Sequence, residues 1–324
     1  MTRSAALPPL ARAIVRGDRG ALARAISAVE NGDPSADAIL RSLYPRTGRT
    51  PVVGLAGPLG VGKSSLVNAL VAQLRSNGRT VGIVAVDPSS PFSGGSVLGD
   101  RIRLERQPGD AGVFFRSMAS RGAAGGVATT TREVVRLLDA GGFDVVLVET
   151  VGSGQVDVAI RDIATTRVVV LVPHLGDEVQ TLKAGLFEIA DIFCVNKSDL
   201  PGAEHAERDL SDLVALGPSP DGWRPRIVRT STVTPSGIDQ LWSTIEAHER
   251  FLDESDARRA AERRRLSREI VDRAASRLSA DLGHRLENDP ALRRLLDEVL
   301  DRKIDPRTAT ERLLAGRARR RGAA

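Results

Sequence analysis

Residues 57–65 read Gly57-Pro58-Leu59-Gly60-Val61-Gly62-Lys63-Ser64-Ser65 and follow directly on the apolar run Val52–Ala56. A strand that empties into a glycine loop ending in Lys-Ser is the pattern that wraps nucleotide phosphates with backbone N–H groups. Gly57, Gly60 and Gly62 let the backbone turn and come close, and Val61 and Ser65 add amides to the same loop. Lys63 reaches the outer phosphates and Ser64 can hold Mg2+. The alternative is a plain glycine turn before an ordinary helix, and the preceding strand argues against it. The stretch implies a bound nucleoside triphosphate.

Outward from the loop, strand and helix patterns alternate over residues 47–250. Apolar runs recur at Val52–Ala56, 81–86, 145–148, 168–172, Ile192–Val195 and 227–230, with a further short strand expected at 113–115. Helical stretches begin near Lys63, Thr129, Glu178, Ala203 and Gly237. Near-continuous apolar strands separated by helices predict an α/β fold, a mostly parallel sheet covered by helices on both faces, with ligands at the strands' C-terminal ends. Residues 1–46 carry two helical patterns, one around Leu10 to Val29 and one around Ala36 to Tyr44, broken by Asn31-Gly32-Asp33-Pro34. They read as a helical N-terminal extension. Residues 251–324 read as a helical C-terminal arm. There Leu266, Ile270, Ala274, Leu278 and Leu282 recur every four residues, a stripe that needs a partner. The arm is expected to pair with a second copy, making a homodimer. Asp305-Pro306 predicts a last capped helix over 308–314.

Composition narrows the class. The 324 residues include 41% hydrophobic and 27% charged residues, a globular balance, and no apolar run has the length of a bilayer span. The N-terminus lacks the uninterrupted apolar core of a signal peptide, so a cytoplasmic location is expected. The net charge of +5 arises from the Arg-rich segment beyond residue 250. Acidic residues are interspersed there and aromatics are scarce, so the segment reads as a solvated helical surface, with neither nucleic acid nor membrane as partner. Cys194, inside an apolar run, reads as a buried strand residue.

The base follows from Asn196-Lys197-Ser198-Asp199, placed immediately after a strand. An Asp199 carboxylate accepts from guanine N1–H and its 2-amino group, and adenine presents neither donor there. Asn196 can contact the purine edge and tie neighbouring loops together, and Lys197 lays its stem along the base. GTP is therefore expected over ATP. Between the loop and this motif lie the acids that suit Mg2+ and hydrolysis. Glu149 ends one strand ahead of Gly152, whose N–H can sense the γ-phosphate. Asp87 closes another beside the phosphate loop, and Asp100 sits in the glycine-rich segment 93–101. Asp87 and Asp100 also fit plain turn or capping roles.

The runs GPLGVGKSSLVNAL, VAVDPSSPFSGGSVLGDRIR, RSMASRG, FDVVLVETVGSGQ, VPHLGDEVQTLKAG and VNKSD closely resemble the methylmalonyl-CoA mutase-associated GTPases, the MeaB/ArgK family. LYPRTGRT at 43–50 and IDPRTATERLL at 304–314 extend the likeness over nearly the whole chain. The resemblance implies a Mg2+-dependent, homodimeric GTPase cycling between GTP and GDP. It implies a partner too: an adenosylcobalamin-dependent acyl-CoA mutase whose cofactor delivery the GTPase gates and which it protects from inactivation. A cobalamin adenosyltransferase is a further partner under that resemblance. Lys63 and Ser64 would then serve phosphate and metal, Asp87, Asp100 and Glu149 metal and hydrolysis, and Asn196, Lys197 and Asp199 guanine. Gly176, Asp177, Glu178, Gln180 and Lys183 would form an additional switch that reports nucleotide state to the mutase.

Two departures stand out. His174 occupies a position where the family usually has Gly, and Ser231-Thr232 replaces the frequent Ser-Ala that helps seat guanine. Ser153 follows Gly152 where many regulated GTPases have a water-orienting glutamine, with Gln155 two positions on, so slow intrinsic hydrolysis accelerated by a partner is expected. Two other classes compete. A P-loop ATPase or kinase linked to arginine and ornithine transport would need ATP and a phosphoacceptor site. A nickel-insertion GTPase would carry clustered His or Cys, whereas His174, His205, His248, His284 and Cys194 are scattered.

Overall fold

Seven strands hydrogen-bond into one sheet in the computed structural model, which describes residues 7–88, 110–120, 126–150, 160–173, 186–217 and 222–321. They are β1 (Val52–Ala56), β2 (Val81–Pro88), β3 (Val113–Ser120), β4 (Val145–Thr150), β5 (Thr166–Leu171), β6 (Ile192–Val195) and β7 (Arg226–Arg229). The order is β3-β2-β4-β1-β5-β6-β7, and all the strand pairings are parallel. The expected α/β sheet is therefore present. Five of its strands run further or start elsewhere than their apolar runs. The short strand expected at 113–115 extends to Ser120, and β2 continues through Asp87 to Pro88 because it pairs with β3 along its whole length.

The side-chain alternation of β1 shows why both faces are apolar. Val53 and Leu55 point to one side, where α4 (Lys63–Ser76) supplies Leu66, Leu70 and Leu74 and α8 (Ile238–Glu254) supplies Leu241, Trp242 and Ile245. Val52 and Ala56 point to the other. That layer holds α5 (Gly126–Ala140), α7 (Ala203–Leu216) and the N-terminal helices α1 (Pro9–Val15), α2 (Arg19–Glu30) and α3 (Pro34–Leu43). Between them, Leu22, Ile26 and Ile39 share a core with Val134, Leu137 and Leu138 of α5.

The single helical pattern expected around Leu10 to Val29 is two helices. Gly17 takes φ +85°, ending α1, and the Asp18 side chain accepts from Ala21 N at 2.9 Å, capping α2. Asp33 caps α3 the same way, accepting from Ser35 N with Pro34 in the first turn. The helix expected near Glu178 lies outside the described residues; α6 (Leu186–Ile189) follows them.

Beyond α8 the chain is helical: α9 (Ala257–Asn288), α10 (Pro290–Leu300) and α11 (Pro306–Arg321). Two compact units divide within α9, Met1–Arg265 and Leu266–Ala324. In the second unit Asp289 caps α10 and Asp305 caps α11, and Arg312 bonds Glu298 at 3.0 Å. The last helix is longer than the expected 308–314, because Pro306 opens it and nothing in 315–321 breaks it. Ile270, 67% exposed, and Leu278, 40% exposed, carry the apolar stripe on the surface of α9. Among the described residues no helix is long and apolar enough to cross a membrane.

Candidate functional site

The loop after β1 is shaped by glycines for which no other residue fits. Gly57 has φ +145°, and a Cβ there would fall 2.2 Å from the Val170 carbonyl oxygen on the neighbouring β5. Gly62 has φ +92° and begins α4 as its N-cap without a side-chain cap, so the first amides of the helix are left to a ligand. A Cβ on Gly62 would lie 2.6 Å from Asn196 Nδ2. Lys63 is buried, and its ammonium donates to the carbonyls of Gly57 at 2.6 Å and Pro58 at 2.8 Å. The positive charge is thereby held across the mouth of the loop, where phosphate oxygens would replace or join the carbonyls.

Ser64, one residue into α4, donates its hydroxyl to Glu149 Oε1 at 2.5 Å. Glu149 reaches it from β4, where it sits in register with Leu55 of β1. Thr150 beside it donates to the Leu55 carbonyl, fixing the strand end. The structure thus joins Ser64 and Glu149 in one pair of hard oxygen donors, a donor set that suits Mg2+. Asp87 occupies the C-terminal end of β2 opposite Ala119. Its strand is separated from β1 by β4, and Asp87 lies one residue beyond the last β2–β4 pair, Val86 with Thr150. Asp100, Gly152, Ser153, Gln155, His174, Gly176, Asp177, Glu178, Gln180 and Lys183 lie outside the described residues.

The base-reading motif packs onto this loop from β6. Asn196 is fully buried; its Nδ2 donates to the Val61 carbonyl at 2.8 Å, and its Oδ1 accepts from Thr230 Oγ1 at 3.0 Å. Lys197 has φ +55° and bonds the Gly60 carbonyl through Nζ at 2.8 Å, so its stem lies along the loop. Asp199 is exposed, and Ser231 Oγ donates to its Oδ1 at 2.5 Å. Ser231 accepts in turn from the amides of Val233 and Thr234, which settles its hydroxyl proton on Asp199. Thr232 follows in the same turn, closed by the bridge of Ser231 with Ser236.

Thr230 is the residue that motif reasoning passed over. Its hydroxyl also meets Cys194 Sγ at 3.1 Å, and its backbone carbonyl accepts from Ser198 N at 2.9 Å. In the sequence it is only the polar end of an apolar run, 34 residues from Asn196. Cys194 is the buried strand residue expected, and burial pushes its thiol up to about 12, against the bond to Thr230.

With this geometry, likeness to known proteins becomes informative. The family model described as methylmalonyl Co-A mutase-associated GTPase MeaB matches residues 22–285. A protein of Pyrococcus abyssi, provisionally named a GTPase, is 43% identical over 304 residues, 92% of this chain and 93% of its own. GTPase ArgK of Escherichia coli K12 is 35% identical over 255 residues, 76% of either chain. The crystal structure of LAO/AO transport system kinase superposes with a TM-score of 0.71 at 26% identity, covering 94% of this chain and 95% of that one. The nucleotide loop, the paired Ser64 and Glu149, the base motif of β6 and these likenesses converge, and the chain belongs to the methylmalonyl-CoA mutase-associated GTPase family MeaB, as a P-loop GTPase.

Proposed function

We propose that this GTPase binds an adenosylcobalamin-dependent acyl-CoA mutase, methylmalonyl-CoA mutase first among candidates, gates delivery of the cofactor and protects the mutase from inactivation. The observation that carries this reading is the match of residues 22–285 to a family described by its association with that mutase. A mouse relative, 35% identical over 250 residues, 72% of this chain and 60% of its own, is named methylmalonic aciduria type A homolog, mitochondrial, which supports the same partner. Adenosylcobalamin is handled through the mutase, with a cobalamin adenosyltransferase as the source of cofactor. The place of action is the cytoplasm.

In this reading residues 1–46 are an extension, 47–250 the GTPase domain and 251–324 a dimerisation arm whose exposed Ile270 and Leu278 face a second copy. GTP phosphates lie on the amides of Gly57, Gly60, Val61, Gly62, Ser64 and Ser65 with Lys63 on the outer oxygens, and Gly152 reports the γ-phosphate. Asn196, Lys197 and Asp199, backed by Ser231 and Thr232, read guanine. Ser64, Asp87, Asp100 and Glu149 would hold Mg2+, which when bound neutralises charge on the β- and γ-phosphates. Lys63 adds positive charge at the same oxygens, and the loop amides hold the phosphoryl chain in line for water. Gly176, Asp177, Glu178, Gln180 and Lys183 form the additional switch.

The test is co-elution of purified chain and purified methylmalonyl-CoA mutase on size-exclusion chromatography with GDP or a non-hydrolysable GTP analogue. The reading predicts a complex whose yield depends on the nucleotide; separate elution under both conditions would contradict it. The name of the solved kinase relative favours a second reading, ATP-dependent phosphotransfer, which requires ATP to be the better substrate.

A further inference from the structure

The strands run parallel, so their N-terminal ends form the pole of the sheet opposite the phosphate loop, and that pole holds a buried polar cluster the nucleotide chemistry does not use. Thr165 and Thr166, at the start of β5, both donate to Glu249 Oε1 at 2.5 Å, and Glu249 Oε2 accepts from Arg258 Nη2 at 2.8 Å. Beside them Arg167 grips Asp191 through Nε at 2.7 Å and Nη2 at 2.5 Å. His248, 2% exposed, sets Nδ1 2.8 Å from Thr166 Oγ1 and Nε2 3.6 Å from Asp191 Oδ1. Trp223 covers the ring edge-on with centroids 4.8 Å apart and donates Nε1–H to the Asp191 carbonyl at 2.9 Å.

Two arginines of α9 enter this cluster. The α8–α9 corner is at Ser255, where the backbone turns extended, and Arg258 spans it with bonds to Asp253 Oδ1 at 2.5 Å and to the Glu249 carbonyl at 3.1 Å. Arg265, two turns on along the same face, donates to the Ala164 carbonyl at 2.6 Å. The start of α9 is therefore fastened by polar bonds to the base of β5.

Charge decides how the fastening responds to protons. The charged groups facing the His248 ring are Asp191 ahead of β6, Glu249 on its own helix, Arg167 on β5 and Arg258 on α9. Each carboxylate already has its guanidinium, and the Arg265 guanidinium adds positive charge beside Glu249 and Arg258. A proton on His248 adds a further positive charge without a carboxylate of its own, in a place shut from water. Phe251, in the last turn of α8 that Arg258 ties down, lies stacked on the ring with centroids 6.5 Å apart, so an opened corner bares that face to solvent, and the charged ring favours whichever form solvates it.

We propose that this cluster is an acid-released latch: closed, it holds the first two turns of α9, residues 257–265, to the base of the sheet, and charging His248 frees them. Burial lowers the His248 pKa from its ordinary value, outweighing the pull of Asp191 and Glu249, while Arg167 and Arg258 act in the same direction as burial.

Hydrogen exchange of the full chain, corrected for the chemical rate, tests it at pH 7.5 and 5.5. With an ordinary histidine pKa of about 6.5 in the open form, the opening constant of peptides within 257–265 should rise about tenfold between those pH values while staying well above that of α4 peptides, which open only with the whole fold. His248→Gln should flatten that dependence, and Arg258→Ala should raise exchange over 257–265 already at pH 7.5. If Arg258→Ala does not fold, the wild type and His248→Gln decide alone. Exchange over 257–265 that is independent of pH in the wild type, or equally dependent in His248→Gln, would overturn the latch.

Discussion

Asn196 is the residue on which the nucleotide pole turns, because one buried amide joins three loops. Its Nδ2 holds Val61 in the phosphate loop and its Oδ1 is held by Thr230, so the two ends of the side chain cannot exchange roles. The glycine at 62 is the other half of that contact, since any Cβ there would strike the Asn196 amide nitrogen. Thr230→Val keeps the shape and removes the donor, leaving a buried acceptor unpaired at a cost of about 1–3 kcal/mol. The expected outcome is a lower urea midpoint together with weaker GTP binding by calorimetric titration; unchanged affinity would show that Asn196 needs no such support. Gly62, Lys63, Asn196 and Lys197 were legible in the sequence because motif spacing encodes loop geometry. Thr230 was not, since its partners are 34 and 36 residues away and meet it only through strand pairing.

At the scale of elements, caps and pairing set boundaries that periodicity alone leaves open. An apolar repeat runs through both α1 and α2, yet Gly17 and Asp18 divide them, the first by a left-handed backbone and the second by capping Ala21 N. Asp18→Ala removes that cap and should cost about 1 kcal/mol, read as a lower thermal midpoint by calorimetry with GTP hydrolysis retained. No change in midpoint would mean that packing against α5 alone defines α2. β2 shows the complementary case. Its apolar run stops at Val86, but pairing with β3 carries the strand to Pro88, so Asp87 belongs to the strand and lies just past its last pair with β4, Val86 with Thr150. Strand order is a long-range property, and no local pattern in 81–88 contains it.

For the molecule as a whole, the parallel sheet places two polar sites at opposite poles: nucleotide at one end, the His248 cluster at the other. The alternating strands and helices made the first legible, because runs of apolar residues ending in glycine loops locate the C-terminal pole. The second was hidden, as His248 and Glu249 sit in an ordinary helical repeat and their partners come from β5, the start of β6 and α9. His248 also fixes the sign of a pH effect on global stability. Its pKa is lowered in the folded chain, chiefly by burial, so below about pH 6.5 the unfolded chain binds the proton first. Stability is unaffected by this group above that pH and falls as the pH drops through it, by up to about 1.4 kcal/mol per unit until the folded value is reached. Urea unfolding at pH 7.5, 6.5 and 5.5 should show that slope, and His248→Gln should reduce it.

The central claim is a guanine-specific GTPase whose turnover answers to a mutase, and steady-state hydrolysis tests it most directly. GTP and ATP are each supplied to the purified chain with Mg2+, with and without a purified adenosylcobalamin-dependent acyl-CoA mutase. The account predicts slow hydrolysis of GTP, much slower hydrolysis of ATP, and a clear rise in GTP turnover when the mutase is added. Preference for ATP, or GTP turnover that is already high and indifferent to the mutase, would contradict it.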